Sequence, residues 1–256
     1  MQIHASHINT WLDCRQRFYR SYILGEKIPP SIAIARGRSV HKAIEKNMAS
    51  KFTTGELLPL EQVKDIARDS ITEIFKEEEI RLDPKEVQMG EGAAKGKAVD
   101  TVIDLSALHH LKIAPAIEPT GIEKPWTLEL DGYPYSLGGR IDLIDSGTIL
   151  RDTKTKSMKP NQREVDAMIQ LTVYSLAMKV NEGINPNIKV DYLIATKTPG
   201  HETLSTKRTD KNFDALFNLL DAFFQSLENE DFGPCNPTSW ICSPVYCGYY
   251  NSCKYV

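Results

Sequence analysis

Residues 138–157, GGRIDLIDSGTILRDTKTKS, constrain the chain more than any other stretch. Apolar residues alternate on both sides of Ser146-Gly147-Thr148, the pattern of two strands joined by a tight turn. Yet these strands carry Asp142 and Asp152, and strand interiors disfavour aspartate. With Ser146-Gly147-Thr148 as the loop, strand pairing sets Asp142 opposite Asp152. Side chains alternate between faces, so Lys154 shares the face of Asp152. Opposed carboxylates repel, and one must keep a proton unless a cation lies between them. A hard divalent ion with oxygen ligands removes the conflict, polarises a phosphoryl oxygen and acidifies a bound water. The plainer alternative is an exposed strand face with a cross-strand ion pair.

Upstream of residue 115 the period is helical. SHINTWLDCRQRFYRSYILGEKI predicts a first helix, and ARGRSVHKAIEKNMASKF a second with His41 and Glu45 on one face. Residues 60–83 predict a third helix, and EGAAKGKAVDTVIDLSALHHLKI a fourth, shorter one. WTLEL and YSLGGRIDLI predict a hairpin about Asp131-Gly132, followed by GTILRDTKT as the next strand. Residues 161–181 predict one helix with Val165, Met168, Ile169, Thr172, Leu176 and Val180 as its buried stripe. IKVDYLIATKT reads as a strand and KRTDKNFDALFNLLDAFFQSLEN as a last amphipathic helix. This order implies an α/β core inside a helical frame.

The tail FGPCNPTSWICSPVYCGYYNSCKYV has no periodicity, so something other than an apolar core must order it. Of the five cysteines, Cys235, Cys242, Cys247 and Cys253 crowd into the tail, while Cys14 stands near the start. No apolar signal-peptide core opens the chain and no run approaches the roughly 20 apolar residues of a membrane span, so the expected location is cytoplasmic. In such a chain, clustered cysteines point to a metal or an iron–sulfur centre more than to disulfides. The formal charge of −3 is no mark of a nucleic-acid binder, but its distribution is suggestive. Residues 15–42 hold Arg15, Arg17, Arg20, Lys27, Arg36, Arg38 and Lys42 against Glu26 alone. Residues 151–163 hold Arg151, Lys154, Lys156, Lys159 and Arg163 against Asp152 alone. Two such patches suit a groove that follows a phosphate backbone; solvated surface charge is the bland alternative.

The motifs together are similar to those of the PD-(D/E)XK nuclease superfamily. GGRIDLID…ILRDTKTKS resembles its signature, with Asp142 as the first acid and Asp152-Thr153-Lys154 as the (D/E)XK triplet. QLTVYSLA resembles the Q-x-x-x-Y motif of the RecB-like branch at Gln170 and Tyr174, and GRSVHKAIE the upstream helix that carries His41. Cys14 with Cys242, Cys247 and Cys253 resembles the split four-cysteine motif of AddB-type and CRISPR-adaptation nucleases, and the tail resembles that of phage exonucleases of this group. The spacing C-x4-C-x5-C has a longer first gap than better-known members, and Cys235 is extra.

The resemblance implies an α/β, restriction-endonuclease-like core: a central mixed β-sheet flanked by helices, with an N-terminal helical region and a C-terminal cysteine-rich clasp. One domain over 1–256 would divide into a mainly helical part (1–112), a catalytic α/β core (113–200) and a C-terminal helix with the clasp (201–256). The implied activity is metal-dependent exonucleolytic cleavage of DNA, single-stranded or at duplex ends, in recombination, repair or phage DNA metabolism. His41, Asp142, Asp152 and the Thr153 carbonyl would hold Mg²⁺ or Mn²⁺, with Asp142, Asp152 and Lys154 catalytic. Gln170, Tyr174, Arg15, Arg36, Arg38 and Lys156 would contact DNA or, for the first two, the lysine. The four cysteines would hold [4Fe–4S], or structural Zn²⁺ as the alternative, and Cys235 would be no ligand. A helicase or recombination protein is the expected partner, in a bacterial or phage-infected cell. The rival readings are a catalytically weak, nuclease-like DNA-binding module in a larger recombination or packaging complex, and a zinc-stabilised regulatory protein.

Overall fold

The computed structural model describes residues 2–256. Its frame is a six-stranded mixed sheet formed by β1 (Gln2–Ile3), β2 (Pro119–Leu128), β3 (Ser136–Asp145), β4 (Ile149–Lys156), β5 (Asn187–Ile194) and β6 (Gly200–Lys207). The strand order is β1-β3-β4-β5-β6, with β2 along the other edge of β3. The β1–β3 and β4–β5 pairs are parallel and the others antiparallel. This is an α/β architecture with helices on both faces, consistent with the restriction-endonuclease-like expectation.

The β3–β4 hairpin turns where the sequence predicts. Ser146 and Gly147 both take positive φ (51° and 74°), as a turn matched to strand twist requires. Pairing then runs Asp145↔Ile149, Ile144↔Leu150 and Leu143↔Arg151, and stops. One step further would set Asp142 opposite Asp152, but the strands have parted. Beyond the split, the same edge of β3 pairs with β1 at Ser136 and Leu137. The sheet is therefore forked, and the two acids are the first residues past the fork. Just inside it a buried network clamps the strands: Arg151 donates to Asp145 (2.7 Å) and to Asp191 of β5 (2.8 Å). Arg151 thus belongs to the interior, not to a basic patch, and is 7% exposed. Burial alone would raise Asp145, but hydrogen bonds from Arg151, the Glu118 amide and Ser146 outweigh it and hold the carboxyl below its usual range.

Alternation along the strands sends side chains to two cores. Ile144, Leu150, Val190 and Tyr192 pack with residues of α1 (Ala5–Asp13), α8 (Ile169–Glu182) and α9 (Asp210–Glu228). Leu143 and Leu193 pack with residues of α3 (Ile32–Thr54), α4 (Leu60–Glu77) and α6 (Glu91–Lys112). At Gly139 a Cβ would stand 2.8 Å from the Trp126 ring, so the close approach of β2 needs glycine there.

Several expectations are corrected. The first helix breaks at Cys14, whose extended backbone (φ −167°, ψ 114°) separates α1 from α2 (Arg15–Phe18) and a π-turn (Tyr19–Ile23). The helix expected over 161–181 breaks at Met168 into α7 (Gln162–Ala167) and α8. Arg208, 1% exposed, donates to the freed carbonyls of Val165 (3.0 Å) and Met168 (3.1 Å) and to Thr172 Oγ1 (2.8 Å). Val180 is exposed, whereas Leu171 to Met178 are all buried, because α8 is covered on every side rather than along one stripe. The fourth expected helix, α6, is 22 residues against 18 for α4, not shorter; a six-residue helix, α5 (Pro84–Met89), precedes it. β6 was not anticipated: in GHETLSTK only Leu204 is a large apolar residue, and it pairs with β5 residue by residue as an edge strand with one face solvated. Among the described residues no helix is long and apolar enough to cross a membrane.

Candidate active site

The fork collects side chains from four elements. Asp142 comes from β3, Asp152 and Lys154 from β4, His41 from α3, and Gln170 and Tyr174 from α8. His41 Nδ1 lies 3.4 Å from Asp142 Oδ2. Lys154 Nζ donates to Asp152 Oδ1 (3.2 Å) and to Gln170 Oε1 (2.8 Å), and Gln170 Nε2 donates to Tyr174 Oη (2.8 Å). A chain of hydrogen bonds thus runs from the acid through the lysine to a tyrosine that is 7% exposed. That burial fits a hold on the lysine better than a contact with DNA.

Electrostatics in the fork are strained. Burial first, then the charges of Asp152 and Glu123, push Asp142 up to about 7, although Lys154 pulls it down. Burial also lowers His41, against the pull of Asp152, so its imidazole stays available as a neutral donor. Asp152 is 1% exposed, and its Oδ2, 3.1 Å from Lys154 Nζ but out of line with it, accepts no hydrogen bond. A buried carboxylate oxygen that accepts no hydrogen bond, beside a second acid, suits a hard cation. As the side chains stand, no three His, Cys, Asp or Glu groups among the described residues converge closely enough to close around an ion.

One acid escaped the sequence reading. Glu123 lies between Ile122, paired with Leu143, and Lys124, paired with Ile141, which sets it opposite Asp142. Its φ of 46° is unusual for a residue with a side chain and marks a local distortion within β2. Glu123 lines the cleft with His41 and Asp142 and pairs with Arg140 at 3.5 Å. The only available signal was the β2–β3 register.

The expected DNA contacts are scattered. Arg38 is exposed at the mouth of the fork and pairs with Glu78 (2.8 Å). Lys156 is taken up by Glu164, and Arg15 by Asp231 while lying over Trp11. Arg36 is partly buried, with its Nε lacking a partner.

A second cluster of side chains lies away from the fork. All five cysteines are free thiols and line one cavity of about 30 Å³. No Asp, Glu or His side chain shares that lining, which also holds Arg17 and Arg20, and the thiols as they stand do not close around an ion. The break at Cys14 brings its Sγ to accept the Cys235 amide at 3.4 Å. Cys235, expected to stand apart, therefore sits inside the group; burial and then the neighbouring thiols of Cys14 and Cys242 push it up to about 12.

The sequence profile of the PD-(D/E)XK nuclease superfamily matches residues 2–254. The chain belongs to this superfamily. Its members are nucleases that generally use Mg²⁺ or Mn²⁺, and membership implies DNA as the substrate. A crystal structure from Eubacterium rectale, described as a candidate exonuclease, is similar over 94% of this chain and 86% of its own, with a TM-score of 0.57 at 14% identity. That likeness supports the fold. The crystal structure of SSO0001 matches 67% of this chain and 81% of its own at 17% identity, and its TM-score of 0.37 is too low to argue from. No curated protein matches the sequence.

Proposed function

We propose that this superfamily member is a metal-dependent DNA exonuclease acting at the fork. The observation that carries the reading is the pair of acids at the strand split, one with a buried oxygen that accepts no hydrogen bond, beside a lysine held by Gln170. Asp142, Asp152, His41 and the Thr153 carbonyl would hold Mg²⁺ or Mn²⁺, with Glu123 beside them. When bound, the ion supplies charge neutralisation at the phosphate and acidifies water. Lys154 has three donors and spends two on Asp152 and Gln170, leaving one for a phosphoryl oxygen as negative charge develops there. Gln170 keeps its oxygen toward the lysine because its amide nitrogen is committed to Tyr174.

Cleavage from ends is the reading favoured by the likeness to the E. rectale protein described as a candidate exonuclease. Cys14, Cys242, Cys247 and Cys253 would hold [4Fe–4S] or Zn²⁺ and tie the tail to the first helix; iron and labile-sulfide content of anaerobically purified protein separates the two. Purified Asp152→Ala protein should lose hydrolysis of linear DNA with Mg²⁺ and Mn²⁺ yet still bind it, and wild-type protein should spare closed circles. Unchanged cleavage by Asp152→Ala removes the nuclease reading, and equal attack on circles removes the exonuclease one.

A further inference from the structure

A second cleft adjoins the fork. The mouth of the fork, about 730 Å³, is lined by Arg38, His41, Arg140 and Lys154. A neighbouring cleft of about 450 Å³ is lined by Arg17, Tyr22, Lys27, Arg38, Arg81 and Tyr246. Arg38 belongs to both. It stands on α3 between Ile34, which lines the second cleft, and His41, which lines the mouth, so one ridge of a single helix runs from one to the other.

The second cleft is cationic and aromatic. Its two acids are already engaged, Glu26 with Arg20 (2.6 Å) and Glu78 with Arg38 (2.8 Å). Among the described residues Arg17, Lys27 and Arg81 have no carboxylate partner. Arg81 donates to the Val245 carbonyl (2.7 Å), while its Nε is buried without a partner. Tyr246 is 53% exposed, and Trp240, 69% exposed, meets it edge-on with ring centroids 4.9 Å apart. Both aromatics come from the cysteine-bearing tail; Tyr246 lines the cleft, and Trp240 stands outside its lining, against Tyr246. That tail is seated closely: a Cβ at Gly248 would fall 2.4 Å from Ile28, and the Tyr249 hydroxyl donates to the Glu26 carbonyl at 2.6 Å.

We propose that this cleft binds single-stranded DNA continuous with the strand in the fork, with Arg17, Lys27 and Arg81 on phosphates and Tyr246 and Trp240 stacking on unpaired bases. Cations without carboxylate partners spaced along a groove match a phosphate backbone, and exposed rings beside them match bases that a duplex would keep stacked on one another. The inference deepens the nuclease reading and rests on it for the polarity of the path, but it is tested by binding alone.

Trp11 and Trp126 are buried, so tryptophan emission that responds to a surface ligand reports on Trp240. Titration of wild-type and Asp152→Ala protein in EDTA with a long oligo(dT) should quench this emission saturably, whereas a trinucleotide should quench weakly. Trp240→Phe should lose the signal. Tyr246→Ala should weaken binding, measured by fluorescence anisotropy of the labelled oligonucleotide, by about 5- to 150-fold. Lys27→Glu should weaken it and lower its salt dependence, while Lys211→Glu on α9 controls for net charge. Quenching by duplex or polyglutamate but not by oligo(dT), or oligo(dT) affinity unaltered in both Tyr246→Ala and Lys27→Glu, overturns the proposal. Because no cleavage is read, a protein that binds here yet cuts nothing would sink the nuclease reading and leave the cleft standing.

Discussion

The fork and the cysteine tail are both functional candidates, yet different physics orders them. The fork is held from beneath by the body of the protein: Arg151 ties Asp145 and Asp191 together, Arg208 fixes the start of α8, and two apolar cores cover the sheet. Its acids can be left in electrostatic conflict because the surrounding fold pays for it. The tail has little apolar packing, with Ile241 and Tyr249 as its buried hydrophobics, and its one regular element is a short 3₁₀ turn at Tyr250–Ser252. Its thiols stand where a core would otherwise be. One region spends fold stability on chemistry, while the other, on the proposed reading of its cysteines, would gain order from a bound metal.

The largest expected effect comes from breaking the fork's support. Arg151→Met leaves two acids buried without their cation and should destabilise the whole chain by about 3–5 kcal/mol, read as a drop in thermal midpoint. A change under about 1 kcal/mol would mean that the clamp is dispensable. Breaking the tail should act locally. Cys247→Ser should admit proteases to residues 233–256 while moving the midpoint of the core by no more than about 0.5 kcal/mol. A fall in the midpoint of the core as large as that of Arg151→Met would show that the two regions are one unit.

How much of this was readable in the sequence depends on how far apart the partners lie. The hairpin turn and its register followed from Ser146-Gly147 and local alternation, and the long helices from their apolar repeats. The break at Met168 was not legible, because neither proline nor glycine marks it and the group that stabilises it, Arg208, comes from after β6. The strand split at Leu143↔Arg151 depends on β1 taking up the vacated edge of β3, a pairing between residues 2–3 and 136–137 that local patterning does not encode. Glu123 was missed for the same reason, its place opposite Asp142 being a product of β2 register. Arg151 and Lys156 looked like patch residues because charge alone does not tell an interior or intramolecular ion pair from a surface one.

A last effect is a pH dependence confined to the fork. Folded Asp142, pushed up to about 7 from the usual 3.8, keeps a proton that the unfolded chain has already lost. In EDTA, wild-type protein should therefore lose stability relative to Asp142→Asn as pH rises from about 4 to 7. A stability difference that stays flat over this window would show that the carboxyl is ordinary, and the contrast between fork and tail would lose its electrostatic half.

Mn²⁺ binding followed by electron paramagnetic resonance, in wild type, Asp142→Asn and Asp152→Asn, tests the placement of an ion at the fork most directly. Wild-type protein should take up Mn²⁺ at a site that either substitution weakens strongly, with competition by Mg²⁺. Equal Mn²⁺ uptake by all three proteins would contradict it.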